Sequence, residues 1–133
     1  MRSIRLVLAD DNSEILEMLV DMLQPSYVVA GTSSDGSSAL DQISALKPDV
    51  VILDISLPDM TGFEVVKQLK KNGANAKVIF LTVHENIDFV RAAFELDAVG
   101  YIFKSRMSSD LLPALETICN GGRFSSAEVS LST

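Results

Sequence analysis

A single cysteine, Cys119, occurs among the 133 residues, so no disulfide can close within the chain and a reduced compartment is the natural setting. Histidine is equally scarce. His84 stands alone, which leaves a zinc site or a Ser-His-Asp triad short of side chains. No apolar run approaches the roughly 18 residues of a membrane span. Met1-Arg2-Ser3 leads straight into strand-like sequence, where a signal peptide would place an apolar stretch. Positive charge is in short supply too, with 11 Lys and Arg against 18 Asp and Glu and a net charge of −7. A nucleic-acid surface needs a clustered basic patch, so these residues are not expected to read DNA by themselves. The expectation from these absences is a cytoplasmic protein without membrane contact.

What the chain does have is alternation, over a length that suits one domain. Apolar runs end abruptly in polar residues: IRLVLA before Asp10, DVVIL before Asp54, KVIFL before Thr82 and AVGYIF before Lys104. Runs this apolar read as strands buried on both faces, the mark of a parallel sheet. Residues 27–31 (YVVAG) add one more strand. Helical spacing fills the gaps. Ser13 is read as the N-cap of a first helix carrying Ile15, Leu16, Leu19, Met22 and Leu23. Asp35 caps a second with Ala39, Leu40, Ile43 and Leu46, closed by Pro48. Thr61 and Glu64 have capping-box spacing for a third, which Asn72-Gly73 ends. A fourth near 86–96 uses Ile87, Val90 and Phe94, and a fifth uses Leu111, Leu112, Leu115, Ile118 and Cys119. Pro113 is tolerated within a first turn, so the fifth helix is expected to start near Ser109 or Asp110. Five such β–α units predict an α/β fold, a doubly wound parallel sheet with helices on both faces. Beyond Gly121-Gly122 the pattern lapses. The Ser- and Thr-rich remainder reads as a linker or tail, dividing the chain into 1–121 and 122–133.

In an open parallel sheet the ligand crevice lies outside the carboxyl ends of the strands. Asp10, Asp11, Asp54, Thr82 and Lys104 are therefore predicted to share one rim. Adjacent acids at a strand end invite a hard cation, and Mg²⁺ needs one or two carboxylates when phosphate and water supply the rest. A third carboxylate nearby suffers like-charge repulsion, which a metal and the Lys104 ammonium offset. Asp54 then becomes a carboxylate able to accept a phosphoryl group. Mg²⁺, Lys104 and the Thr82 hydroxyl can each take one phosphoryl oxygen. Taken singly, these residues are ordinary loop acids, a strand threonine and a snorkelling surface lysine. Only their joint placement at four strand ends makes a site.

Asp10-Asp11, DVVILDISLPDMTGFEVV around Asp54, LTVHE around Thr82 and GYIFKS around Lys104 resemble the receiver domain of two-component response regulators, from about Ser3 to Gly122. The resemblance implies a flavodoxin-like sheet of five strands in the order 2-1-3-4-5. It implies Asp54 as the phosphorylated aspartate, and Asp10, Asp11, Asp54 and the backbone carbonyl of Ser56 as Mg²⁺ ligands. Thr82 and Lys104 hold phosphoryl oxygens, and Tyr101 is the switch aromatic, passing from exposed to buried on phosphorylation. A sensor histidine kinase is the implied donor. The chain would be a phosphoacceptor that assists its own phosphorylation and dephosphorylation rather than a turnover enzyme. Two positions depart from the family pattern. Val83 replaces a small residue and is expected to narrow access. Ser105 replaces a common proline, so the Lys104–Ser105 peptide is expected to be trans, a non-proline cis bond costing about 2.5–4 kcal/mol. Ser105 and the stretch through FSS also resemble receivers fused to a LuxR-type helix-turn-helix domain. That implies a homodimer on phosphorylation, and DNA contact only through an output domain outside these residues. His84 is read as a loop residue at the site's edge, and Cys119 as core.

Three other functions compete. A flavodoxin-like electron carrier needs hydroxyl and N–H donors after the first strand, where this chain puts two negative charges. A Mg²⁺-dependent phosphatase commonly carries a second Asp two residues after its nucleophile, and Asp54-Ile55-Ser56 lacks it. A phosphorylation-independent scaffold would have no need of an intact set of signature residues.

Overall fold

The computed structural model describes residues 3–128. The strands β1 (Arg5–Ala9), β2 (Val28–Ser33), β3 (Val50–Leu53), β4 (Lys77–Thr82), β5 (Gly100–Phe103) and β6 (Phe124–Ser125) form one parallel sheet in the order 2-1-3-4-5-6. Five helices connect them: α1 (Ser13–Leu23), α2 (Gly36–Leu46), α3 (Gly62–Lys71), α4 (Ile87–Glu95) and α5 (Met107–Cys119). A 3-10 turn, Lys104–Arg106, leads from β5 into α5.

Alternate strand residues serve opposite faces, which is why the runs are apolar throughout. Val7, Val51, Leu53, Phe80 and Tyr101 pack against α2, α3 and α4. Leu6, Leu8, Ile52, Ile79, Leu81 and Ile102 pack against α1 and α5. Every residue of β3 is buried, so this strand carries Asp54 to the sheet's end on a rigid support. Its neighbour β1 does the same for Asp10. The chain reverses between β1 and β3, and the crevice opens there.

Several boundaries differ from the sequence reading. Asn12, not Ser13, caps α1, its side chain accepting from the amides of Glu14 (3.0 Å) and Ile15 (3.2 Å). Asp10 Oδ1 in turn accepts from Asn12 N at 2.9 Å, so the acidic turn itself draws the cap one residue earlier. Strand β2 runs on to Ser33, whose carbonyl accepts from Asp10 N at 3.1 Å. Ile87 is 38 % exposed and Leu112 42 %, so neither lies on the buried face that helical spacing predicts for it. Helix α5 begins at Met107, two residues before the expected start, so Pro113 lies beyond the first turn. The helix survives because the carbonyl that loses its partner belongs to exposed Ser109, where water can serve it. A sixth strand, β6, stands where the chain had read as a linker, pairing Phe124 with Gly100 and Ser125 with Tyr101. Asp35, Thr61 and Asn72 cap as expected.

One long-range cap sets the geometry of the loop after β3. Asp59 Oδ1 accepts from Gly36 N (2.7 Å) and Oδ2 from Ser37 N (2.9 Å), fastening that loop to the start of α2. These amide bonds, Gly36's first, hold the Asp59 carboxyl below its ordinary value. A depressed carboxyl contributes stability above the unfolded value and loses it as pH falls through the lower folded value. Asp59→Asn is therefore expected to lower the urea midpoint at pH 7. The gap from the parent should close in acid below the ordinary carboxyl value of 3.8. A gap that stayed constant down to that acid range would assign the effect to something other than charge.

Candidate functional site

Four strand ends deliver the predicted residues to one rim. Asp10 follows β1, Asp54 follows β3, Thr82 closes β4 and Lys104 follows β5. Asp10, Asp54 and Thr82 are all buried, at 1 %, 4 % and 0 % exposure, while Asp11 faces solvent. Lys104 Nζ lies 2.8 Å from Asp10 Oδ2 and donates to Asp54 Oδ2 at 2.9 Å. One carboxylate oxygen from each of Asp10, Asp11 and Asp54 comes within 4.8 Å of the others. Gly62, the first residue of α3, packs so tightly on the Asp54 carbonyl and Ile55 Cα that a Cβ there would collide with backbone.

The charge balance is uneven. Two buried carboxylates share one ammonium group, and Asp11 brings a third negative charge close by. Burial, reinforced by the Asp54 charge, raises the Asp10 carboxyl above its usual range despite help from Lys104 and Asn12 N. For Lys104, burial alone would lower the pKa, but the close Asp10 and Asp54 carboxylates outweigh that and raise it. Asp10 Oδ2 has the Lys104 charge beside it yet no aligned hydrogen bond. A buried carboxylate oxygen left in this condition, with two further carboxylates converging, suits a hard divalent cation.

A consequence for stability follows. Asp10→Asn leaves Lys104 with Asp54 alone, a neutral pair in place of a two-to-one cluster. The variant is expected to be more stable by about 1 kcal/mol in the absence of divalent ions, the direction seen when buried charge is reduced without stranding a partner. It should also respond less to added Mg²⁺. Thermal melts with and without Mg²⁺ check both, and a destabilised variant with an undiminished Mg²⁺ response would contradict the account.

Hydrogen bonds that the sequence did not reveal close the rim. Ser56 N donates to Asp54 Oδ1 at 3.2 Å, and Ser56 Oγ shares a 2.7 Å hydrogen bond with His84 Nε2. His84 N donates to Thr82 Oγ1 (3.3 Å), and its carbonyl accepts from the Tyr101 hydroxyl (2.7 Å). Ser105 Oγ donates to Glu85 Oε2 at 2.9 Å. The segment 83–85 is thus tied to four residues, Ser56, Thr82, Tyr101 and Ser105. Tyr101 is fully buried, so the exposed position expected before phosphorylation is not the one adopted; its bond to His84 O holds the ring inward. Burial first, then the Asp54 and Glu85 charges, push the Tyr101 phenol well above its ordinary value, so it stays a donor. Val83 is 65 % exposed, and the side chains that bridge the mouth are Ser56 and His84. The Lys104–Ser105 peptide is trans, there being no cis bond among the described residues. Cys119 is half-buried rather than core.

The model of the response regulator receiver domain matches residues 6–116. This chain belongs to the response regulator receiver family. Among curated relatives, the positive alginate biosynthesis regulatory protein of Pseudomonas aeruginosa is 38 % identical over 117 residues, 88 % of this chain and 46 % of the relative. The uncharacterized transcriptional regulatory protein YvfU of Bacillus subtilis is 34 % identical over 129 residues, 96 % of this chain and 64 % of the relative. This receiver therefore spans about half to two-thirds of those two proteins. A crystal structure of a LuxR-family response regulator from Aurantimonas sp. SI85-9A1 superposes with a TM-score of 0.86 at 29 % identity, covering 92 % of this chain and 89 % of the other. The receiver fold is shared with such neighbours, and in this chain its sheet runs 2-1-3-4-5-6.

Proposed function

We propose that this receiver is a phosphorylation-controlled switch in which Asp54 accepts a phosphoryl group from a sensor histidine kinase. The observation that carries the reading is the buried Asp54 carboxylate, ion-paired to Lys104 beside two further acids. An Asp54 oxygen forms the new bond to phosphorus while the phosphorus–nitrogen bond of the donor imidazole breaks. The electron pair leaves with the imidazole. Asp10, Asp11, Asp54 and the Ser56 carbonyl would hold Mg²⁺, which supplies positive charge to the carboxylates and the phosphoryl oxygens. Lys104 and the Thr82 hydroxyl hold the remaining oxygens. The protein acts as a phosphoacceptor assisting its own modification and its reversal, not as a turnover enzyme.

Thr82 and Tyr101 form the switch. The Thr82 hydroxyl accepts from His84 N, and the His84 carbonyl holds Tyr101, so an oxygen that recruits Thr82 also disturbs the segment anchoring the ring. The output is a DNA-binding domain outside these residues, reached through altered self-association or release, in the cytoplasm. No helix among the described residues is long and apolar enough to cross a membrane. The likeness in sequence to a transcriptional regulatory protein and in structure to a LuxR-family response regulator supports this output.

Mass spectrometry after incubation with acetyl phosphate tests the reading: one phosphoryl group gained with Mg²⁺, none with chelator. No gain under either condition would favour a phosphorylation-independent scaffold. Thr82→Ala should still be modified, but the environment of Tyr101 should respond less, which NMR of the ring protons checks. A Tyr101 response equal to that of the parent would remove Thr82 from the switch.

A further inference from the structure

Asp110 and Ser126 are buried, at 7 % and 8 % exposure, away from the acidic cluster. They join the exit strand to the turn that carries Lys104. Strand β6 lies along the edge of β5, with Phe124 N donating to Val99 O (3.0 Å) and Ser126 N to Tyr101 O (2.8 Å). Ser126 Oγ donates to Asp110 Oδ2 at 2.7 Å and accepts from Phe103 N at 3.2 Å. Asp110 Oδ1 accepts from Ser109 Oγ at 3.1 Å, and Arg106 Nε lies 3.3 Å from Asp110 Oδ2. One buried carboxylate thus gathers β6, the 3-10 turn and α5.

Phe103 immediately precedes Lys104. Its amide is the last of β5, and β6 is too short to offer it a backbone carbonyl; the Ser126 hydroxyl supplies the acceptor instead. Undocking β6 would leave that amide and the Asp110 carboxylate short of partners inside the protein, where such groups are costly. The residue that precedes Lys104 would then lose its tie to the exit strand.

We propose that Ser126 and Asp110 are positioning residues for Lys104, and that docking of the exit strand is thermodynamically coupled to phosphoryl loading of Asp54. The proposal rests on the phosphorylation reading above and deepens it. The docked strand coexists with Lys104 seated at both carboxylates. A phosphoryl group on Asp54 requires the lysine there, so loading favours the docked strand and docking favours loading. Such coupling is reciprocal by necessity.

Beryllium trifluoride with Mg²⁺, a mimic of the phosphoryl group, is the probe, applied to the full chain. Native mass spectrometry scores loading, and amide hydrogen exchange reads the Phe103 and Ser126 N–H groups. Loading is expected to slow exchange at both by about five-fold or more, relative to strand-centre amides such as Val51. Ser126→Ala should bind the probe about five-fold or more weakly and lose the slowing at Phe103, with Val51 unchanged. Ser126→Thr, which keeps the hydroxyl, should restore both. A loaded parent protein with unaltered Phe103 and Ser126 exchange overturns the coupling alone, as does a Ser126→Ala variant of undiminished affinity. Failure of the parent to load at all overturns the coupling and the phosphorylation reading together.

Discussion

Asp54→Asn is expected to abolish phosphoryl uptake while leaving the protein folded. The amide is nearly isosteric with the carboxylate, so its oxygen can still accept from Ser56 N. What it lacks is the negative charge that makes a carboxylate a nucleophile toward phosphorus. Lys104 keeps its contact with Asp10, so the variant trades a two-to-one cluster for a balanced pair and should melt no lower than the parent. Loss of uptake then cannot be blamed on unfolding. Incubation with acetyl phosphate and Mg²⁺, followed by intact mass and a thermal melt, reads both properties on one sample. Full uptake by the Asn variant would move the phosphoacceptor to another residue.

Lys104→Met is expected to give the largest loss of stability of any single change at the site. Among the described residues its Nζ is the one cation within ion-pair distance of Asp10 and Asp54, and all three side chains are largely buried. Removing it strands two like charges, a situation that costs about 3–5 kcal/mol when a buried pair is broken. The pH dependence carries the diagnosis. In the parent, the raised Lys104 pKa means its stabilisation is complete below the unfolded value of 10.5 and is lost as pH rises through the higher folded value. In the variant, the Asp10 carboxyl, already raised by burial, loses the opposing effect of Lys104, so stability should recover as pH falls toward about 4. Mg²⁺ should restore part of it at neutral pH by returning positive charge to the cluster. Urea unfolding at several pH values, with and without Mg²⁺, measures all three effects. A Met variant as stable as the parent at pH 7, indifferent to pH and Mg²⁺, would show that the ion pairs do not govern the site.

Much of the fold was legible because its signals are local. Continuous apolar runs marked β1, β3, β4 and β5, since a strand covered on both faces has no polar side to show. Asp35, Thr61 and Asn72-Gly73 marked helix ends because capping needs particular side chains within a few residues. The misses share a cause. Two residues, Phe124 and Ser125, carry no period of their own, and β6 is held by bonds from Phe124 to Val99 and from Ser126 to Tyr101 and Phe103. Pro113 looked like a helix start because its cost depends on whether the carbonyl one turn earlier can reach water, which exposed Ser109 allows. Asn12 displaced Ser13 as the cap through an acid two residues back.

The candidate site divides in the same way. Asp10, Asp11, Asp54, Thr82 and Lys104 were determined by the sequence alone, because a polar residue ending a buried strand must emerge at the sheet's carboxyl edge. The tertiary structure decided that Tyr101 stands inward, that Ser56 meets His84, that Glu85 takes Ser105 and that Asp110 holds Ser126. Each of those bonds joins residues 16 to 28 positions apart. Side chains so far apart have no fixed relation until the sheet has set strand order and register, and only then do the loops bring specific donors to specific acceptors.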